Sequence, residues 1–433
     1  MSKQNIEFKD SGIPWIGEIP KHWEISKIKY VANLFTGNSI SDSQKDNFTN
    51  SENSLPYIAT KDIELDTNLV NYKNGMYIPK LNSSFKIAPK NSILLCIEGG
   101  SAGRKISFIN KDVCFVNKLC CFVAKPDFLK KFLYYYCQNP SFISEFKLNL
   151  IGLIGGVSIN SIKNFKIPLP PLNEQKEIAE FLDKKCEIID KRLSNLERKI
   201  KSLKEYKKSL ISECVTKGLN PKNMEFKDSG IPWIGQIPKH WEISKIKYHG
   251  TARNGLTYSP SDLTDENGIL VLRASNIQND KLSFNDNVYV SCPIKNEIFI
   301  KKGDILICAT NGSKELVGKN VLIKENIKCA YGGFMMVLRS EISNFLQYIL
   351  KSKVFEYHRP SFSTTTINQL TREKLLNLEF PLPPLNEQKE IAEFLDKKCD
   401  KIDRLNENYT KQITALKEYK KSLIYECVTG KNI

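Results

Sequence analysis

No stretch of eighteen consecutive apolar residues occurs anywhere in the chain, which excludes a bilayer-spanning helix and, with it, a membrane partner. The opening MSKQNIEFKD has no apolar core behind a basic cluster, so no secretory leader is expected and the chain reads as cytoplasmic. Histidine is scarce, and its four copies (His22, His240, His249, His358) are scattered. The twelve cysteines form no CxxC pair; they lie in apolar strand-like runs (ILLCI, ILICA, LCCFV) or helical stretches, where a thiol behaves as a small hydrophobe. That placement argues against a zinc site and a disulfide scaffold, and for a reducing compartment. Catalytic signatures are missing too. GSKELVGKN (Gly312–Asn320) has five residues between its glycines and Asn where a phosphate-binding loop needs Ser or Thr, and GGSAGRK (Gly99–Lys105) also lacks the spacing. There is no HExxH, no GxSxG, and no DPPY- or NPPF-like tetrapeptide of the kind amino-methyltransferases use around a target base; LPLPP lacks the preceding Asp or Asn. The acidic residues show no spacing that singles out an acid–base pair. The expectation is a chain that is not an enzyme by itself and binds no cofactor or metal.

What the sequence does have is positive charge, +16 with a pI near 9.1. Lysine-rich solvated surfaces are the ordinary explanation, and a polyanion that releases counterions on binding is the sharper one. Residues 171–218 carry 12 basic and 9 acidic side chains, and residues 384–431 carry 10 and 9. Together those segments hold only +4 of the +16, so most of the excess lies outside them and favours a nucleic-acid surface there.

The sequence is a doubled cassette. PLPPLNEQKEIAEFLDKKC at Pro168–Cys186 recurs letter for letter at Pro381–Cys399, and EFKDSGIPWIGEIPKHWEISKIKY at Glu7–Tyr30 recurs at Glu225–Tyr248 with Gln236 in place of Glu18. Between these copies the interiors are related but not copied: SILLCIEGGSAGRKISF parallels DILICATNGSKELVGKNVLI, FLYYYCQNPSF parallels FLQYILKSKVF, and LPYIATKDI parallels LVLRASNI. Apolar positions are kept while polar loops diverge, the pattern of one scaffold presenting two surfaces. Short β-rich runs, glycine loops and one or two helices predict mixed α/β interiors. Trp15, Trp23 and their copies Trp233 and Trp241 suit packing better than base discrimination, because identical copies cannot discriminate.

The duplicated joint leads into a long helix, with Asn173 expected as N-cap and Glu174 at the positive helix start. Apolar residues then recur at four- and three-residue steps: Leu182, Cys186, Ile189, Leu193, Leu196, Ile200, Leu203 and Leu210, with Gly218 as the stop. The second copy continues through Leu395, Cys399, Ile402, Tyr409, Ile413, Leu416 and Leu423, with Asn406 at the seam position that matches Leu193. Two amphipathic helices on separate cores would also explain these stripes, but their narrowness favours mutual pairing. Antiparallel pairing, which returns the chain to its beginning, places Leu182 near Leu423, Leu196 near Tyr409 and Leu210 near Leu395. A helix of roughly 45 residues makes a rod of about 65 Å, enough to hold two domains at least one DNA turn, roughly 34 Å, apart. The predicted architecture is thus mixed α/β (α+β): domains at 1–170 and 219–382, helices at 171–218 and 383–433, an antiparallel coiled coil and a pseudo-two-fold internal repeat.

IPLPPLNEQKEIAEFLD (Ile167–Asp183), its copy FPLPPLNEQKEIAEFLD (Phe380–Asp396), IPKHWEISKIKY and the GDILI strand at Gly303–Ile307 resemble the specificity subunits of type I restriction–modification systems. The resemblance covers nearly the full length; the first domain departs from it with KNSILL in place of GDILI. It implies that each interior is a target-recognition domain reading one half of a bipartite double-stranded DNA site. The helices would set the spacer and dock two modification subunits, which carry S-adenosylmethionine. Two restriction subunits, using ATP and Mg, would complete the nuclease. Base-contacting residues do not carry over, so candidates rest on chemistry: Arg and Lys suit guanine edges and phosphates, Asn suits adenine. They are Lys61, Arg104, Lys105, Asn117 and Lys118 in the first domain, and Arg273, Asn276, Lys314, Lys319, Arg359 and Asn368 in the second. For each, the ordinary alternative is a solvated loop residue. At the level of the whole chain, the alternative is a non-catalytic coiled-coil scaffold holding two protein-binding domains.

Overall fold

The computed structural model describes residues 7–152, 155–362 and 368–431; the first six residues of the MSKQNIEFKD stretch lie outside them. The chain divides into two compact units, residues 1–197 with 410–433, and residues 198–409. The divisions fall inside both long helices, Leu172–Lys217 and Leu385–Val428. Among the described residues no helix is long and apolar enough to cross a membrane.

In the first unit the two duplicated blocks find each other. Strand Glu24–Lys27 of the entry block pairs antiparallel with Lys166–Leu169 of the joint, Glu24 opposite Leu169 and Lys27 opposite Lys166. The interior between them is a four-stranded antiparallel sheet in the order Ala32–Thr36, Leu119–Ala124, Ile93–Cys96, Ile106–Phe108. A second sheet runs Tyr77–Pro79, Ser54–Ile58, Val113–Phe115, Ile87–Ala88, with the middle pair parallel. Gly37 follows the first strand because the chain there crosses the Phe115 carbonyl; a Cβ on it would sit 1.8 Å from that oxygen. Gly37→Ala should therefore cost at least about 1–3 kcal/mol, as overpacking does, read as a lowered urea midpoint; an unchanged midpoint would refute the close approach.

Helices Lys130–Gln138 and Pro140–Leu148 follow, broken at Asn139. Its Oδ1 accepts from Ser141 N at 2.6 Å and Phe142 N at 3.2 Å, capping the second helix, while Pro140 has no N–H to continue the first. The core of this unit gathers Trp23, Phe132, Tyr136, Phe142 and Phe146 with Leu182, Ile189 and Leu193 of the first long helix and Leu423 and Val428 of the second. The helices therefore pack both on the domain and on one another. Lys420 of the second helix crosses to Asp190 of the first at 2.7 Å.

The second unit repeats the plan on its own residues. Glu242–Lys245 pairs with Glu379–Leu382. Gly250–Asn254, Met335–Ser340, Ile305–Cys308 and Asn320–Leu322 form the antiparallel sheet, and Ile269–Leu272 runs parallel to Cys329–Tyr331. Its core joins Trp241, Phe345 and Phe355 to Ile211 and Val215 of the first long helix and Ile391 and Leu395 of the second; Lys207 pairs with Asp403 at 2.8 Å. The departure between GDILI and KNSILL has a local cause. Buried Asp304 holds Arg339 Nε at 3.0 Å. In the first domain Ser92 and Val123 take the corresponding places, so the acid and its base are absent together.

The long helix begins at Leu172, a residue before the expected cap: Gln175 N donates to Pro171 O at 3.0 Å, which makes Pro171, not Asn173, the boundary. The next two joint residues have separate tasks. Glu174 accepts from Trp23 Nε1 at 2.8 Å and lies 2.8 Å from His22 Nε2. Buried Gln175 donates to Pro170 O at 2.9 Å and accepts from Leu129 N at 2.9 Å. In the second unit Glu387 takes Trp241 at 3.0 Å and His240 at 2.7 Å. Trp23 and Trp241 are fully buried, so entry block and joint are duplicated as a mated pair.

Of the seam residues, Leu182, Ile189, Leu196, Leu395, Ile402 and Leu423 are buried, whereas Leu203, Leu210, Asn406, Tyr409 and Leu416 are half-buried. Leu182 and Leu423 share the first unit's core; Leu210 packs against the core that holds Leu395. Tyr409 lies beneath the Lys199 ammonium, 5.6 Å from the ring centroid. Leu182, Leu395 and Leu423 are the most buried of these, because there a domain covers a helix face that a single partner helix leaves open.

Candidate nucleic-acid interface

Three loops of the first domain meet along one rim of the paired sheets. Val116 N donates to Ile58 O at 3.0 Å and Ile97 N to Lys118 O at 3.0 Å, so segments 58–61, 97–105 and 116–118 adjoin. The rim carries Lys61, Arg104, Asn117 and Lys118, all exposed. Lys105 is half-buried, its Nζ donating to Thr60 O at 2.8 Å, which ties two of the loops together. Glu98 offsets part of the charge, 3.7 Å from Lys118. Gly103 (φ +70) turns the long loop where a Cβ would lie 2.6 Å from the Phe146 ring. The structure thus collects all five candidates of this domain, one of them as a brace.

The second domain builds its rim from segments 272–276, 310–319, 332–334 and 368–369. Gly332 N donates to Leu272 O at 2.9 Å, and Ala309 N to Phe334 O at 2.9 Å; Asn311 pairs with Asn368 across a short ribbon. Lys314 is exposed and Lys319 half-buried. Arg359 reaches Glu315 O at 3.3 Å and Asn368 Nδ2 reaches Gly312 O at 3.0 Å, so both shape the loop that bears Lys314. Arg273 is half-buried and pairs with Asp286 at 2.9 Å.

Asn276 corrects the sequence reading. It is fully buried: Oδ1 accepts from Arg273 N at 2.9 Å, and Nδ2 donates to Ser283 O at 2.9 Å and Asp286 O at 3.3 Å. Its amide closes the turn and presents nothing to a base. Asp62 does the same work in the first domain, accepting from Ala59 N at 2.8 Å and Asn74 Nδ2 at 2.7 Å. Sequence reasoning passed over Phe334, exposed on the second rim, because phenylalanine is ordinarily core.

Burial pushes the Cys114 thiol up to about 11 and the Cys214 thiol up to about 12, which keeps them protonated and poor nucleophiles. Among the described residues no group of three or more His, Cys, Asp or Glu side chains is placed to hold a metal ion.

Residues 20–204 and 238–415 match the model of the type I restriction modification DNA specificity domain. The chain belongs to that family. Each cassette carries one specificity domain, and the chain is a specificity subunit with two target-recognition domains. It is similar to the MjaVIII specificity subunit of Methanocaldococcus jannaschii, 26% identical over 95% of this chain and 93% of that one. The EcoKI specificity subunit of Escherichia coli is 30% identical over 205 residues, 46% of this chain, and the match spans only 44% of that relative's length. A solved chain from a study of complex assembly and conformational transition of the type I R-M system superimposes with a TM-score of 0.71, covering 96% of this chain and 99% of the other at 17% identity. At that identity the likeness fixes the fold of the specificity subunit.

Proposed function

We propose that each rim reads one half of a bipartite double-stranded DNA site, with the long helices setting the spacer and docking two modification subunits. The observation that carries this reading is one scaffold used twice with two different basic rims: identical joints hold loops that share almost no polar residues. Exposed Lys61, Arg104, Lys118 and Lys314 suit phosphate contacts, which position the duplex, and Asn117 suits a base edge. The chain contributes no catalytic group in this reading. Methyl transfer with S-adenosylmethionine belongs to the modification subunits, and ATP- and Mg-dependent cleavage to two restriction subunits.

Exchanging residues 31–167 for another family member's interior, followed by methylome sequencing, is the test. The modified motif should change in one half only; a change in both halves contradicts the modular reading. Footprinting on the assembled complex separates this from a scaffold, which would protect no split sequence.

A further inference from the structure

Phe334 is the most exposed phenylalanine among the described residues, 72% accessible. Exposed aromatic rings ordinarily fold back onto nearby apolar surface, and this one does not. The Phe334 carbonyl accepts from Ala309 N at 2.9 Å and Thr310 N at 3.0 Å, while Met335 N closes on Gly332 O at 2.8 Å. Gly332 and Gly333 make the tip thin, and the chain passes so close beneath that a Cβ on Gly255 would lie 2.2 Å from Tyr331 O. The ring thus stands exposed on a backbone that these bonds tie down.

The internal repeat gives the position meaning. In the first domain Lys118 O accepts from Ile97 N, and Val116 N donates to Ile58 O. In the second, Phe334 O accepts from Ala309 N, and Gly332 N donates to Leu272 O. Lys118 and Phe334 are therefore equivalent points on equivalent rims, one ending in an ammonium and the other in a bare ring. Beside Phe334, Asn311 and Asn368 brace the loop that bears exposed Lys314, a cation suited to base edges and phosphates. The apolar feature that base edges offer beside such groups in the major groove is the C5-methyl of thymine.

The geometry points to Phe334 as an apolar base reader that packs on a thymine methyl in the half-site of the second domain, where the first domain presents Lys118. This rests on the DNA-reading function proposed above and adds a residue, a base and a contact type to it.

The test uses the complete methyltransferase complex and duplexes with deoxyuridine replacing each thymine of the second half-site in turn. One replacement should weaken binding of the wild type by about 5- to 100-fold, the range for a specific base contact. The F334A complex should show that loss on the natural site and no further response to the same replacement, with the first half-site unaffected. F334A should melt as the wild type does, since most of the ring is exposed. Unchanged affinity and an unchanged deoxyuridine profile in F334A overturn the assignment, as does a second half-site without thymine. Brightening of 2-aminopurine that depends on Phe334 also overturns it, by placing the ring between bases. A wild type that protects no split sequence overturns the underlying reading, whatever F334A does.

Discussion

Trp241→Ala is expected to destabilise the second unit by about 3–5 kcal/mol, the cost of emptying an aromatic site in a packed core. The side chain is fully buried, in the cluster that joins Ile211 and Val215 of one helix to Ile391 and Leu395 of the other. Truncation opens a cavity at this junction and also removes the indole N–H that Glu387 accepts at 3.0 Å. A carboxylate deprived of a partner at a partly buried helix start adds to the loss. Calorimetry should show a melting transition lowered by roughly 6–20 °C, at about 2–4 °C per kcal/mol for a unit of this size. Trp241→Phe, which keeps the ring but not the donor, should cost roughly 1–3 kcal/mol. A shift below 2 °C for Trp241→Ala would mean that the indole is not a keystone of the joint. Trp23 stands in the same relation to Glu174 in the first unit, so Trp23→Ala is an independent repeat.

Replacing Lys61, Arg104 and Lys118 together with alanine should weaken DNA binding by the assembled complex about 100-fold at ~0.15 M salt. Each phosphate contact contributes about 0.9 to the slope of log affinity against log salt, or roughly 0.7 of a decade at that concentration. All three side chains are exposed on one rim, so their loss leaves no cavity and the fold should hold. Lys105 is left in place because its bond to Thr60 O braces two loops. A salt slope shallower by about 2–3 identifies phosphate contacts; relaxed discrimination at particular bases identifies base contacts. If affinity, slope and motif all stay the same, the rim does not face DNA. The duplex would then have to meet another surface of the domain.

Much of this molecule is legible without coordinates, for reasons that are local. Proline pairs stop a helix, heptad spacing continues it, and glycine ends it at Gly218. Apolar strand-like runs such as ILLC and ILIC become central strands because their composition leaves them no other place. The helix boundary was missed by two residues, because Asn is the commoner cap while here the Pro171 carbonyl makes the first bond. The two duplicated blocks could be seen separately, but not that they pair as strands and share a Trp–Glu bond across about 150 residues.

By itself, the sequence determined the doubled cassette, the two long amphipathic helices, the charge excess outside them and the family. Each of these depends on neighbours a few residues away or on a comparison of the chain with itself. The tertiary structure decided which polar side chains are available. Asn276 and Asn117 are the same residue type in similar loops, yet one is consumed by Ser283 and Asp286 and the other is exposed. Only the strand register set Phe334 at the point where the other domain has Lys118. A side chain's availability is fixed by partners distant in sequence, and composition cannot carry that information.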